Sequence, residues 1–131
     1  YDVVQSLMTK KTQPFILLAE DDVSISEVMK IILEDAGYRI AIAKNKEEIL
    51  AAIKREVPRI VFLDVHLGGE NGEEIASELL ADSRMATASL IIVSADDQTE
   101  KIAGRVGAAG FLSKPFDMND LIALCKKHLS K

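Results

Sequence analysis

Residues 60–72 read IVFLDVHLGGENG, and this stretch decides the fold. Its opening run of branched and aromatic residues is too short for a helix and predicts a central strand of a parallel sheet, covered on both faces. The run ends at Asp64. Because a carboxylate at the end of a buried strand is costly without a partner, the stretch also predicts that Asp64 belongs to a functional site.

The same combination of an apolar run and a following polar residue recurs along the chain. The other instances are FILLA (15–19) before Glu20 and Asp21, LIIV (90–93) before Ser94, and GFLS (110–113) before Lys114. A further run, RIAIA (39–43), is weaker. We expect RIAIA and GFLS at the edges of the sheet and the other runs at its centre.

Amphipathic segments with helical spacing lie between these runs. The first ends at Gly37, in the position of a C-terminal cap, and Asn45 with Glu48 has the spacing of a capping box that opens the second. The apolar stripes of the segments are Ile25, Val28, Met29, Ile32, Leu33 and Ala36; Ile49, Leu50 and Ile53; Ile75, Ala76, Leu79 and Leu80; Ile102 and Val106; Leu121, Cys125 and Leu129. Strands and helices that alternate in this way predict an α/β fold, a three-layer sandwich with helices on both faces of an open parallel sheet.

Composition narrows the class of protein. With 131 residues, 48% of them hydrophobic, one compact domain is expected. A net charge of -5 argues against a nucleic-acid surface and favours a cation as the small partner. The one cysteine, Cys125, excludes an internal disulfide and fits the reducing cytoplasm. No apolar stretch approaches the roughly 20 residues that cross a bilayer, so no membrane partner is expected.

Residues 1–13, YDVVQSLMTKKTQ, lack sustained periodicity. We assign them to a leader, tag or linker and the folded domain to residues 14–131. Met8 is a candidate for the natural start, and the alternative is that these residues are the tail of an upstream domain or helix.

The polar residues after the strands fall on one rim of the sheet. In open parallel sheets, ligands bind beyond the carboxyl ends of the strands, where Glu20, Asp21, Asp64, Ser94 and Lys114 stand. Carboxylates that converge there repel one another and call for a divalent cation. Mg2+ suits carboxylates, a carbonyl, waters and phosphate oxygens, so we expect a Mg2+ site at this rim.

Four motifs together resemble the receiver domain of bacterial two-component response regulators, of the chemotaxis-regulator-like kind. They are ILLAEDD (16–22), IVFLDVHLGGENG (60–72), IIVSA (91–95) and GAAGFLSKPF (107–116). Each is weak alone, but the four occur in the right order on the right strands and span nearly everything after the leader. The resemblance implies a flavodoxin-like sheet in the order 2-1-3-4-5 with five helices.

The resemblance also implies a role for each acid of the rim. Asp64 accepts a phosphoryl group. Asp21 and Asp64 bind Mg2+ directly, Glu20 acts through water, and the backbone carbonyl of His66 completes the protein ligands.

Three further residues acquire roles from the resemblance. The ammonium of Lys114 stabilises the negative charge on the phosphoryl oxygens. The peptide bond between Lys114 and Pro115 is typically cis in this family. Ser94 moves to bond a phosphoryl oxygen, and Phe111 is the aromatic switch that turns inward as the hydroxyl moves.

The expected function is a phosphorylation-controlled signalling switch. The phosphoryl donor is a histidine kinase or a histidine phosphotransfer protein, and the output is a changed surface of the fourth helix, fifth strand and fifth helix that a downstream protein reads. The domain catalyses its own phosphorylation and slow dephosphorylation without turning over a separate substrate. We expect no direct contact with nucleic acid.

Two positions depart from the family pattern. His66 stands two residues after the acceptor, where the side chain is free to vary; the sharper hypothesis is that its imidazole alters hydrolysis of the phosphoaspartate or adds a ligand for transition metals. Gly68 stands where the family usually has proline, so LGGENG predicts a permissive loop beside the acceptor.

Two other classes of protein remain as alternatives. A haloacid-dehalogenase-like phosphatase also uses an aspartate nucleophile and Mg2+, but it expects a second Asp where this chain has His66 and a nucleophile on the first strand. A degenerate receiver would bind partners without phosphoryl transfer, against which the intact set of Asp21, Asp64, Ser94 and Lys114 argues.

Overall fold

The computed structural model describes residues 13–129, so the predicted leader, residues 1–13, lies almost wholly outside the described part. Strands and α-helices alternate through the described residues. They are β1 (Phe15–Ala19), α1 (Val23–Asp35), β2 (Arg39–Ala43), α2 (Lys46–Arg55), β3 (Ile60–Asp64), α3 (Gly72–Ala81), β4 (Ser89–Ser94), α4 (Thr99–Val106), β5 (Gly110–Ser113) and α5 (Met118–Leu129). Short 3-10 turns cover Leu67–Gly69 and Ser83–Met85.

All neighbouring strands pair in parallel, in the order β2-β1-β3-β4-β5. This order and the three-layer α/β/α architecture are those predicted from the sequence. RIAIA and GFLS form the two edge strands, also as predicted. Strands β3 and β4 are slightly longer than their apolar runs, because Asp64 and Ser94 still take part in the pairing.

Successive residues of each strand point to opposite faces of the sheet and therefore pack in different apolar layers. In β1, Leu17 and Ala19 pack with α2, α3 and α4. Ile16 and Leu18 pack with α1 and α5. Cys125 lies fully buried in this second layer, as its place on the apolar stripe of α5 predicts, and burial raises the pKa of its thiol to about 12.

The helix boundaries follow the predicted caps, but three large residues of the predicted apolar stripes are exposed. The Asn45 side chain accepts from the N–H of Glu48 at 2.8 Å, while the Glu48 carboxylate accepts from Lys44, one residue earlier than a capping box requires. Val28, Leu50 and Leu80 were predicted to be buried, but they are 57%, 36% and 40% exposed. Each stands about 100° around its helix from a buried neighbour, at the border of the stripe, where packing alone decides the outcome.

No helix within residues 13–129 has the length and apolar character that a membrane span requires.

Candidate functional site

The sheet order brings the first and third strands side by side and places their acids together. Ala19 of β1 is in register with Leu63 of β3, so Glu20 and Asp64 follow at the same height. Ligand oxygens of Glu20, Asp21 and Asp64 all lie within 4.8 Å of one another. Glu20 is 3% exposed and Asp64 6% exposed, whereas Asp21 stands at the open side.

Lys114 reaches this group from the end of β5, an edge strand two places from β3 in the sheet. Its backbone N–H donates to the carbonyl of Ser94 at 2.8 Å, which continues the pairing of β4 with β5 by one residue. Its Nζ lies 2.6 Å from Glu20 Oε1 and 2.8 Å from Asp64 Oδ2. The peptide bond to Pro115 is cis, as predicted.

The pKa values of the two buried carboxylates are shifted in opposite directions. Burial and a hydrogen bond with Asp64 raise the pKa of Glu20 to about 7, although Lys114 acts in the opposite direction. Burial also disfavours the charged form of Asp64, but hydrogen bonds from Glu20 and Lys114 outweigh it and hold the pKa of Asp64 below its ordinary value. Without a cation, a proton on Glu20 therefore relieves the repulsion, and Asp64 stays ionised.

Lys114 remains charged in this setting. Burial alone would lower the pKa of Lys114, but the hydrogen bonds to Asp64 and Glu20 raise it. The site thus holds a fixed ammonium beside an ionised Asp64 at neutral pH.

The acids of the Glu20-Asp21-Asp22 run have separate roles. Asp22 is the N-cap of α1, and its carboxylate accepts from the N–H of Ile25 at 3.0 Å. The carboxylate of Asp21 instead accepts from the backbone N–H of Gly68 at 3.0 Å. Helix capping therefore explains only the last member of the run, and the first two face the site.

The glycine loop, residues 67–72, is held by hydrogen bonds at several points. Gly68 and Gly69 adopt positive φ of 54° and 77°, a region that glycine enters without strain. The Glu70 carboxylate accepts from the N–H of Lys46 at 2.9 Å, and the N–H of Gly72 donates to the carbonyl of Val65 at 3.1 Å. The composition is permissive, as predicted, but the structure fixes the loop.

The loop between β4 and α4, residues 95–98, is closed by hydrogen bonds between Asp96 and the residues that flank the loop. Ser94 is fully buried, and its hydroxyl accepts from the N–H of Asp96 at 2.9 Å. The buried Thr99 hydroxyl donates to the carbonyl of Asp96. Phe111, on the neighbouring strand, is 38% exposed. The hydroxyl predicted to move is therefore engaged within its own turn, and the ring predicted to move is partly exposed.

His66 contacts Asp64 through its backbone. Its N–H donates to Asp64 Oδ1 at 2.8 Å, and its side chain is exposed. The imidazole does not belong to the group of converging acids found among residues 13–129. The geometry gives no support to an additional side-chain ligand at this position.

The donor set fits Mg2+. Three carboxylates provide hard oxygen ligands, two of them buried where a lone negative charge is costly, and Mg2+ prefers such ligands together with water and phosphate oxygens.

Comparison with known proteins identifies the family. The family model for the response regulator receiver domain matches residues 16–126. The chain belongs to this family, whose members work in phosphorylation-controlled two-component signalling and bind Mg2+ at an acidic pocket. The family and the position of Asp64 at the end of β3 set aside the dehalogenase-like alternative, which required a nucleophile on the first strand.

Individual relatives give the same result. The phosphate regulon transcriptional regulatory protein PhoB of Pseudomonas aeruginosa is 33% identical over 118 residues, which are 88% of this chain and 52% of PhoB. The DNA-binding response regulator MtrA of Mycobacterium tuberculosis is 29% identical over 117 residues, 88% of this chain and 50% of MtrA. The crystal structure of the NtrX receiver domain from Brucella abortus is 31% identical, covers 88% of this chain and 98% of that domain, and superposes with a TM-score of 0.80.

The chain spans about half the length of these curated relatives. Since the name of one includes DNA binding, the expectation of no direct nucleic-acid contact stays a prediction for this chain. Cytoplasmic location stays a prediction as well.

Sequence reasoning did not anticipate two contacts of the site. The first is the hydrogen bond from the N–H of Gly68 to the carboxylate of Asp21. The sequence contained a signal for it, because glycine, unlike the proline usual at this position, has a backbone N–H to donate. The second is the Thr99 hydroxyl inside the loop that carries Ser94. A threonine at the start of a helix is an ordinary polar residue in a sequence, so this hydrogen bond could not be predicted.

Proposed function

We propose that this domain is a signalling switch in which Asp64 accepts a phosphoryl group from a phosphohistidine on a histidine kinase or histidine phosphotransfer protein. The observation that carries the proposal is the buried Asp64 carboxylate with Lys114 Nζ at 2.8 Å and two further acids within 4.8 Å. A nucleophile, a fixed positive charge and a cation-binding group are thereby combined in one pocket.

In the transfer step, one oxygen of Asp64 forms a bond to phosphorus while the bond from phosphorus to the donor imidazole nitrogen breaks. The imidazole leaves with the bonding electron pair and takes up a proton. The lowered pKa of Asp64 keeps the nucleophile ionised. The Lys114 ammonium lies where it can stabilise negative charge on a phosphoryl oxygen. Positioning and electrostatic stabilisation are the main contributions of a protein to this kind of reaction.

The proposed Mg2+ ligands are Asp21 and Asp64 directly, Glu20 through water, and the backbone carbonyl of His66. Mg2+ supplies positive charge that neutralises the acids and the incoming phosphoryl oxygens. Because the pKa of Glu20 is about 7 without a cation, binding of Mg2+ is expected to displace the proton from that carboxyl group.

The proposed output begins at Ser94. Its hydroxyl leaves the N–H of Asp96 and donates to a phosphoryl oxygen, and Phe111 turns inward from its half-exposed position. Phe111 lines a groove of about 440 Å3 between α4 and α5, so its movement reshapes that surface. A downstream protein reads the α4, β5, α5 face in one state and not in the other.

The donor protein is proposed to dock beside α1. Val23, Val28 and Ile31 of this helix are more than half exposed, which is unusual for aliphatic side chains grouped on one helix. An apolar groove of about 510 Å3 runs from Val28 to Lys114 and Phe116. A donor domain held on these residues would present its phosphohistidine next to the acceptor pocket.

Treatment with a small acyl-phosphate donor, followed by intact-protein mass measurement, tests the function. We expect an adduct of one phosphoryl group that requires Mg2+ and is absent in Asp64→Asn, which keeps the shape of the side chain and loses the nucleophilic charge. An adduct that persists in Asp64→Asn contradicts the assignment. Absence of an adduct in the parent, together with no binding of a beryllium fluoride analogue, would favour the degenerate receiver.

A further inference from the structure

We propose that Gly68 is a positioning residue for the cation site, and that its backbone N–H holds the carboxylate of Asp21 in the orientation that binds Mg2+. This inference rests on the proposed Mg2+ site. It assigns a role to a residue that has no side chain and is not itself a proposed ligand of Mg2+.

The contact is a single hydrogen bond between elements far apart in the chain. The N–H of Gly68 lies 3.0 Å from Asp21 Oδ2, which leaves Oδ1 for the cation. Asp21 is the exposed member of the acidic group, and an exposed carboxylate otherwise samples several rotamers. A charged acceptor makes this a stronger bond than one between neutral groups.

Only a residue with a free N–H and a tolerance for positive φ can make this bond here. Gly68 has φ of 54°, whereas proline has no N–H and fixes φ near -65°. A Cβ at Gly68 would lie 3.3 Å from the carbonyl oxygen of Lys44, so a side chain fits only with a small shift of that neighbour.

The backbone that carries the N–H of Gly68 is itself held by hydrogen bonds. On the far side of Gly68, Glu70 bonds the N–H of Lys46 and Gly72 bonds the carbonyl of Val65. The glycine loop therefore connects Asp21 to β3 and α2. Outer partners that orient metal ligands commonly change metal affinity about 10- to 100-fold when removed.

Calorimetric titration with Mg2+ of the parent and three variants tests the inference. Gly68→Pro removes the N–H, and we expect its Kd to rise about tenfold. Gly68→Asn retains the N–H in a residue that tolerates positive φ, and Gly69→Ala disfavours the positive φ of the next residue, where a Cβ meets open space, without removing the N–H of Gly68. Both are expected to stay within about twofold to threefold of the parent, because the bond to Asp21 is kept.

Equal Kd values for Gly68→Pro and Gly68→Asn would overturn the inference. So would a loss in Gly69→Ala as large as that in Gly68→Pro, since loop geometry rather than the N–H would then be responsible. Absence of Mg2+ binding to the parent would instead refute the proposed function.

Hydrogen exchange of the Gly68 amide in the metal-free parent is a second test, which does not require Gly68→Pro to fold. NMR of the parent and of Asp21→Ala compares the protection of this one amide. Protection that falls in Asp21→Ala, while that of Gly72 is unchanged, supports the bond. Unchanged protection of Gly68 contradicts it.

Discussion

Two loops border Asp64, and they differ in where their hydrogen bonds go. The glycine loop bonds Asp21 of the β1 end and Lys46 of α2, partners 47 and 24 residues away in the chain. The loop after β4 bonds mainly within itself, through Ser94, Asp96 and Thr99. The loop with the more flexible composition is thus the one connected to the rest of the domain.

The difference separates two tasks of the site. Ligands of a small cation must keep their geometry, which bonds to distant elements provide. A switch must have a second arrangement within reach, and a loop whose bonds are internal can rearrange without breaking those of its neighbours. Glycine content alone would have assigned the two properties the other way round.

Gly72→Ala should give the largest effect and tests whether the glycine loop is fixed against β3. A Cβ at Gly72 would lie 2.3 Å from the Cα of Val65, so the backbone must shift, and we expect a loss of about 3 kcal/mol in the free energy of unfolding by urea. Gly104→Ala on α4, where a Cβ meets open space, is the matched control and should stabilise by about 0.5 to 1 kcal/mol. Similar values for both variants would show that the loop is loosely held.

Glu20→Gln tests whether the raised pKa of Glu20 makes the stability of the domain depend on pH. The pKa of Glu20 rises from 4.5 to about 7 in the folded protein, so between these values the folded state binds more protons than the unfolded state. Its contribution to stability is complete below pH 4.5 and is lost as the pH rises through about 7. We expect the metal-free parent to lose on the order of 1 to 3 kcal/mol over this range.

Urea unfolding in chelator at several pH values measures this loss. Glu20→Gln should remove most of it, and saturating Mg2+ should remove it in the parent, because the cation takes the place of the proton. A pH dependence that is unchanged in Glu20→Gln would assign the titration to another group. Asp64 has the opposite sign: its pKa is lowered on folding, so its contribution is lost only in more acidic solution.

Thr99→Val should give the smallest effect and tests whether the second loop is independent of the first. Valine keeps the shape of this buried side chain and removes the hydroxyl that bonds the Asp96 carbonyl. We expect a loss of about 1 kcal/mol in the free energy of unfolding and no change in the Mg2+ Kd, whereas Thr99→Ser should retain the bond. A Kd that shifts in Thr99→Val but not in Thr99→Ser would show that the loops are coupled.

Most of the fold was predictable because its signals are local. Continuous apolar runs too short for helices indicated buried parallel strands, and the edge strands were the weaker runs. Val28, Leu50 and Leu80 were misplaced because periodicity locates the centre of an apolar stripe and not its border. The roles of Asp21 and Asp22 depended on which carboxylate turns toward the glycine loop, and adjacent acids do not reveal this in a sequence.

The sequence by itself determined the alternation of strands and helices, the family, and the acids and lysine at the carboxyl ends of the strands, since each follows from residue type and spacing along the chain. The tertiary structure decided how those groups act on one another: the raised pKa of Glu20, the charged Lys114, the bond from Gly68 to Asp21 and the self-contained turn of Ser94. These properties depend on burial and on distances of about 3 Å between residues remote in the chain, which only the packing of the sheet and its loops sets.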